Sequence, residues 1–226
     1  MHNLFIQLTA HSTLLESIIK TITPRINTII KEELGLDTQY KFDFFLPKKR
    51  QVLTVYYLQD CVQESESSLF KKINLVEQTN ACLNDDITLR PVVEFFGGSF
   101  GINDELVIMI DDPQETLLAL NKKLKIDFHT LNDEYKRTHA HNLYNVAKSE
   151  QYGYVPHIGL GRIRSTSILE RSNTRKLAAI QKRIKQDIAP IIAKLFATHN
   201  AHLLFDAMAV FDPQKRTGLT TGKPCL

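Results

Sequence analysis

His157 is the residue best placed to do chemistry. It stands in the run Pro156-His157-Ile158-Gly159-Leu160-Gly161-Arg162, and imidazole is the side chain that exchanges protons near neutral pH. On a strand, alternate residues share a face, so His157, Gly159 and Gly161 are expected to point one way and Ile158, Leu160 and Arg162 the other. Two glycines beside a histidine leave room for a ligand and uncover backbone N–H groups. Glycine in a strand also marks a bulge or a close backbone approach. A second surface lies in VLTVYYL, Val52 to Leu58. Regular alternation puts Val52, Thr54 and Tyr56 on one face and Leu53, Val55 and Tyr57 on the other. The Thr54 hydroxyl can donate to a phosphate oxygen. Lys48, Lys49 and Arg50 precede Thr54, while Arg162 and Arg164 follow His157. If the two strands are neighbours, these charges rim one cleft suited to a phosphate or an RNA backbone. Tyr56, Tyr152 and Tyr154 could stack a base there. The same charges also fit ordinary solvated turns.

Other chemistries find less support. His129, His139 and His141 lie in polar sequence, and the two-residue spacing of the last pair would suit a metal. No third ligand clusters with them, so no metal site is expected. Serine-hydrolase chemistry lacks a G-x-S-x-G elbow. GGSFG at 97–101 is neither a Walker loop nor GxGxxG. Cys61, Cys82 and Cys225 form no CxxC or zinc-like spacing, and an odd count fits a disulfide framework poorly. A reducing, cytoplasmic setting is the simpler expectation.

The elements that must position His157 and Thr54 can be read from periodicity. Leu4–Leu8 is a strand. Thr13 and Glu16 form a capping box ahead of a helix that runs to Gly35, with a kink expected at Pro24. Residues 42–58 read as a strand pair around the basic turn Pro47–Arg50, and residues 61–83 as a short helix. Ile87–Phe96 is strand-like, with Pro91 marking an edge or a bulge, and Leu106–Ile110 is a buried strand. Asp112, Pro113 and Glu115 announce a helix carrying Leu117, Leu120 and Leu124. Residues 125–151 read as a long polar connection with one helical piece. A helix from about 173 to 199, interrupted at Pro190, precedes the last strand, Leu203–Phe211. Residues 213–226 read as a polar tail.

The chain has 226 residues, 43% of them hydrophobic, with 9 Gly and 8 Pro. That composition excludes a disordered or collagen-like chain. Net charge is +3, too small an excess to argue nucleic-acid binding from bulk charge. No stretch approaches 18 apolar residues, so no membrane span is expected, and the first residues lack the basic region of a signal peptide. Strands outnumber helices and several are hairpin-adjacent, which favours an α+β fold over a doubly wound parallel sheet.

YVPHIGLGRI at 154–163 and VLTVYYLQ at 52–59 together resemble the two His-x-Thr/Ser motifs of the 2H phosphoesterase superfamily. That superfamily contains the bacterial RNA 2',3'-cyclic phosphodiesterases, also called 2'-5' RNA ligases. The likeness extends over most of the chain. It implies a single bilobal domain over 1–226, in which two antiparallel-sheet lobes with flanking helices face each other about a pseudo-twofold cleft. Strand 52–58 contributes the first motif and strand 154–163 the second. It further implies two histidines as general base and acid, two hydroxyls on the phosphoryl oxygens, no metal and no cofactor. The implied partner is a nucleotide or an RNA end bearing a cyclic phosphate.

The sequence departs from that pattern twice. Valine stands at position 52 where the first histidine is expected, and glycine at 159 where the second hydroxyl is expected. The resemblance therefore leaves His157 and Thr54 as the catalytic pair. Thr54, Gly159, Arg162, Tyr56 and Tyr154 become the candidates for phosphate or nucleotide contact. Either His129 or His141 replaces the missing histidine, or the cleft hosts one-histidine chemistry, or the protein binds a nucleotide or RNA end without turnover.

Overall fold

The computed structural model describes residues 2–35, 40–43, 51–62, 86–97, 104–145, 153–165, 174–212 and 217–220. In chain order these form β1 (His2–His11), α1 (Thr13–Leu34), β2 (Tyr40–Asp43), β3 (Gln51–Cys61), β4 (Thr88–Phe96) and β5 (Glu105–Asp111). There follow α2 (Thr116–Thr138), β6 (His157–Ser165), α3 (Thr174–Phe196), β7 (Leu204–Asp212) and β8 (Thr217–Thr220). The fold is α+β, as the strand-rich order implies. Among the described residues the strands make one eight-stranded sheet, ordered β4-β5-β6-β3-β1-β7-β8, with β2 also paired to β6. Every pairing is antiparallel. The two motif strands, expected to look at each other from separate lobes, are thus neighbours within one sheet, and Leu53↔Ile158 is the register pair between them.

Sequence alternation sets the faces. Leu4, Ile6, Leu8 and Ala10 of β1 are buried in a core shared with Leu53, Ile158 and Ile108. Asn3, Phe5, Gln7 and Thr9 are half-buried on the other side. The core side receives the helices. Ile18, Ile22, Ile26 and Ile29 of α1 and Ile180, Ile184, Ile188 and Ile192 of α3 are all buried. Each such isoleucine contributes roughly 1.5–3 kcal/mol by leaving water. Charges finish the α1–α3 contact, with Arg25 on Asp187 and Arg183 on both Glu32 and Glu33.

Several boundaries differ from expectation for identifiable reasons. α1 is capped by Ser12, whose Oγ accepts the Leu15 N–H at 3.3 Å, so Thr13 is the first helical residue rather than the cap. α1 and α3 each run as one helix through their prolines. Pro24 and Pro190 are both exposed, so the carbonyl each leaves without an N–H partner can be hydrated. Asp112 does cap α2, accepting the N–H groups of Thr116 at 2.9 Å and Leu117 at 2.8 Å. It does so from across the turn at Pro113 and Gln114, and the helix begins at Thr116.

α2 then continues to Thr138, well into the segment read as a connection. Leu124, Phe128 and Leu131 prolong its buried stripe among charged neighbours. Pro91 lies where the β4–β5 register shifts between Leu89 and Val93, on an edge strand as expected. Within the supposed tail, Thr217–Thr220 forms β8 on β7. The helix expected within 61–83 falls mostly outside the described residues. Among the described residues, no helix is long and apolar enough to cross a membrane.

Candidate functional site

The site is built on the seam between β3 and β6. Leu53 pairs with Ile158, both fully buried. One residue to either side of that pair, antiparallel geometry sets Thr54 across from His157 and Val52 across from Gly159. These four motif positions are half-buried and lie on the face opposite the core. The seam therefore has two rows. One keeps a histidine and a hydroxyl; the other holds valine and glycine and has neither.

His157 is oriented by its neighbours. Its Nδ1 lies 2.7 Å from the Val155 carbonyl oxygen. A carbonyl only accepts, so Nδ1 carries the proton of the neutral ring and Nε2 is left as the nitrogen that can take one. Phe96 meets the ring edge-on, with centroids 4.9 Å apart and planes at 85°. Met109 of β5 is its register partner on the other side.

Thr54 is held from three directions. Its Oγ1 accepts a hydrogen bond from Gln7 Nε2 at 3.3 Å. Its carbonyl oxygen accepts from the Tyr154 hydroxyl at 3.4 Å. The carbonyl of the next residue, Val55, accepts from Asn121 Nδ2 of α2 at 2.6 Å. Gln7 is the polar neighbour that sequence reasoning missed. Periodicity alone places it on the half-buried face of β1, but only the register brings it to Thr54.

A β-bulge explains why. Ile6 pairs with Tyr56 while Gln7 pairs with Thr54, so Val55 is the extra residue. The bulge reverses the alternation expected in VLTVYYL. Tyr56, read as facing the ligand with Thr54, is instead in the core at 4% exposure. It stacks on Phe128 at 5.4 Å, and a base-stacking role does not survive that burial. Tyr57 takes the outer face against Phe5, with centroids 4.8 Å apart. Burial pushes its phenol above the usual range, and the nearby Asp60 and Cys61 add to the shift.

A second bulge re-aims Arg162. Leu106 pairs with Gly161 but Val107 with Gly159, leaving Leu160 as the extra residue. Arg162 consequently shares the face of His157, opposite to the regular-alternation expectation. It is not a free phosphate ligand there. Its guanidinium bonds Glu105 at 3.1 Å and lies 3.4 Å from Asp104. Burial pushes the Glu105 carboxyl above the usual carboxylate range, and the bond from Arg162 offsets part of that. The expected positive rim therefore contains, among the described side chains, an arginine already flanked by two acids. Lys48, Lys49, Arg50 and Tyr152, and the side chain of Arg164, lie outside the described residues.

Tyr154 packs its ring against the core and sends its hydroxyl to Thr54. It bridges the two motif segments rather than presenting a stacking surface. His129 and His141 are not brought to the seam. His129 faces Tyr144, with centroids 6.4 Å apart, and His141 follows α2 beside Tyr135. The adjoining Asn145 pairs with Gln59, five residues along β3 from Thr54, or about 17 Å at strand rise. The reason is the packing and length of α2. As a continuous helix packed on the core face, with Phe128 stacked on Tyr56, it sets His129 on the side of the sheet away from Thr54 and carries His141 towards the far end of β3. His139 stacks on Tyr135 at 3.9 Å. Among the described residues, no group of three His, Cys, Asp or Glu is placed to hold a metal ion.

No family model and no curated protein matches the sequence. Solved structures do match its fold. Kluyveromyces marxianus Usb1 with uridine monophosphate superposes with a TM-score of 0.59 at 10% identity, over 97% of this chain and 98% of that one. A second structure of Kluyveromyces marxianus Usb1 gives a TM-score of 0.52 at 9% identity, with the same coverage of both chains. At such identities the likeness concerns the fold, and it extends over essentially the whole of both proteins. The chain shares its α+β fold with these Usb1 structures.

Proposed function

We propose that this protein is a phosphodiesterase-like protein that receives a 2',3'-cyclic phosphate, or a related phosphodiester, at a nucleotide or RNA end. The observation that carries the reading is the surviving row. His157, with Nε2 able to take a proton, stands across the seam from a hydroxyl held by Gln7. The fold shared with Usb1, and the uridine monophosphate of that structure, support a nucleotide as ligand.

The chemistry needs few groups. Hydrolysis of a cyclic phosphate joins a water oxygen to phosphorus, breaks one ring P–O bond, and moves a proton from the water to the departing ribose oxygen. His157 accepts the water's proton at Nε2 as the new bond forms. Thr54 donates to a non-bridging oxygen, where charge accumulates. Attack and departure occur on opposite sides of phosphorus, so one fixed imidazole does not serve both ends of the same step. With Val52 in place of a second histidine, the ribose oxygen draws its proton from solvent. The loss of such a partner costs roughly 10²–10⁴-fold in rate.

The Val52–Gly159 row is the specific observation that favours a second reading, in which the protein holds the nucleotide or RNA end without turnover. One experiment separates the two. The protein and its His157→Ala variant are incubated without added metal with 2',3'-cyclic uridine monophosphate and with a cyclic-phosphate-ended oligonucleotide. Product formation that His157→Ala abolishes is the outcome expected of the enzyme. Binding without product supports the second reading. Neither binding nor product would reject both.

A further inference from the structure

We propose that Gln7 is a positioning residue of this site, one that keeps the Thr54 hydroxyl a donor towards an anionic ligand. The inference rests on the phosphate-end reading given above.

Polarity comes first. Gln7 Nε2 donates to Thr54 Oγ1 at 3.3 Å. A hydroxyl has one proton and two lone pairs. Once a lone pair is engaged by the amide, the Thr54 proton remains to be given elsewhere. A phosphoryl oxygen only accepts, so it needs that proton. A carboxylate in place of the amide would take the proton and leave the hydroxyl offering lone pairs to an anion.

A cross-strand Gln–Thr pair also contributes modestly to sheet stability, and a purely structural role is the competing reading. The backbone argues for more. Ile6 pairs with Tyr56, so an unbroken register would set Gln7 against Val55. The bulge moves it to Thr54 instead. That bulge is fixed from the helix side, where Asn121 donates to the Val55 carbonyl at 2.6 Å. Bulges re-aim side chains and favour sites of function. Here the re-aimed pair adjoins His157, and it adds a third polar side chain to the only row of motif positions that kept its chemistry.

The test is a double-mutant cycle read by titration with uridine monophosphate. Gln7→Met keeps the side-chain length and removes the donor. It should weaken binding about 5- to 10-fold, the upper part of the range for one neutral hydrogen bond. Gln7→Glu keeps the size and a possible hydrogen bond but reverses its direction, and should weaken binding further. In a Thr54→Val background, Gln7→Met should cost less than about 2-fold, because the hydroxyl it positions is gone.

An equal loss in both backgrounds would overturn the inference, as would Gln7→Glu binding as tightly as the unaltered protein. If Gln7→Met does not fold, the comparison of Gln7→Glu in the two backgrounds carries the same test. Failure of the unaltered protein to bind uridine monophosphate overturns the proposed function and this inference together. Binding that no Gln7 substitution changes overturns this inference alone.

Discussion

The Tyr154 hydroxyl donates to the backbone carbonyl of Thr54 at 3.4 Å, tying the segment that leads into His157 to the strand that carries the surviving hydroxyl. The β3–β6 seam has a short register, so this side-chain link adds to a sparse backbone ladder. Tyr154→Phe should lower stability by about 0.5–1.5 kcal/mol, the usual net worth of one hydrogen bond. It should weaken nucleotide binding several-fold more than an equally destabilising change on α3. Denaturant titration beside ligand titration checks both. Unchanged affinity would show that Thr54 and His157 hold their relation without the strap.

The two empty motif positions lie together, which makes a gain of function the sharper test. Val52 and Gly159 face each other across the seam, and both are half-buried. Among the described residues, the glycines with positive φ are Gly35 and Gly153, so Gly159 has a backbone that threonine can adopt. The paired change Val52→His with Gly159→Thr should raise turnover of 2',3'-cyclic uridine monophosphate by about 10²-fold or more, by supplying the second proton carrier. Val52→His alone should give most of that gain, and Gly159→Thr alone little of it. A double variant that folds and binds but turns over no faster would show that more than these two groups is missing.

Arg162 sits between Glu105 and Asp104. Removing the guanidinium leaves two poorly solvated carboxyls facing each other. Arg162→Ala should therefore destabilise the protein by about 2–4 kcal/mol, an effect thermal or chemical unfolding will read. A variant of unchanged stability but weakened nucleotide affinity would mean that Arg162 serves the ligand rather than the acids.

Glu105 offers a pH signature. Its folded-state pKa is raised by burial, with Arg162 offsetting part of the shift. A carboxyl raised on folding binds its proton more tightly in the native state than in the unfolded one. Its stabilising contribution is present at low pH and declines as pH rises from the ordinary glutamate range through the raised folded value. Stability measured across that window should fall more steeply in the unaltered protein than in Glu105→Gln. Parallel profiles would rule out a net penalty for ionising this group.

Much of this molecule was legible in its residues. The strand-rich order gave an α+β fold. The burial stripes of α1 and α3 follow isoleucine spacing, and Pro91 marked an edge strand with an irregular register. His157 and Thr54 were singled out by residue type and motif likeness, and the strands that carry them are neighbours in the sheet. Local patterning carries that information because a side chain's face follows from the period of its element.

What the tertiary structure alone decided was phase and reach. Two bulges, at Val55 and Leu160, each insert one residue into a ladder, and one residue is enough to exchange the faces of a strand. Tyr56 thereby entered the core, Tyr57 and Arg162 moved to the outer face, and Gln7 met Thr54. None of these shifts leaves a mark in the alternation of VLTVYYL or HIGLGR, because the bulges are set by partners from distant strands and by Asn121 on a helix. In the same way, the spacing of His129 and His141 says nothing of distance from His157. The packing of α2 on the core face sets His129 away from Thr54, and its unbroken length carries His141 towards the far end of β3. Rigidity over many helical turns is a property of the packed helix rather than of any short run of its sequence.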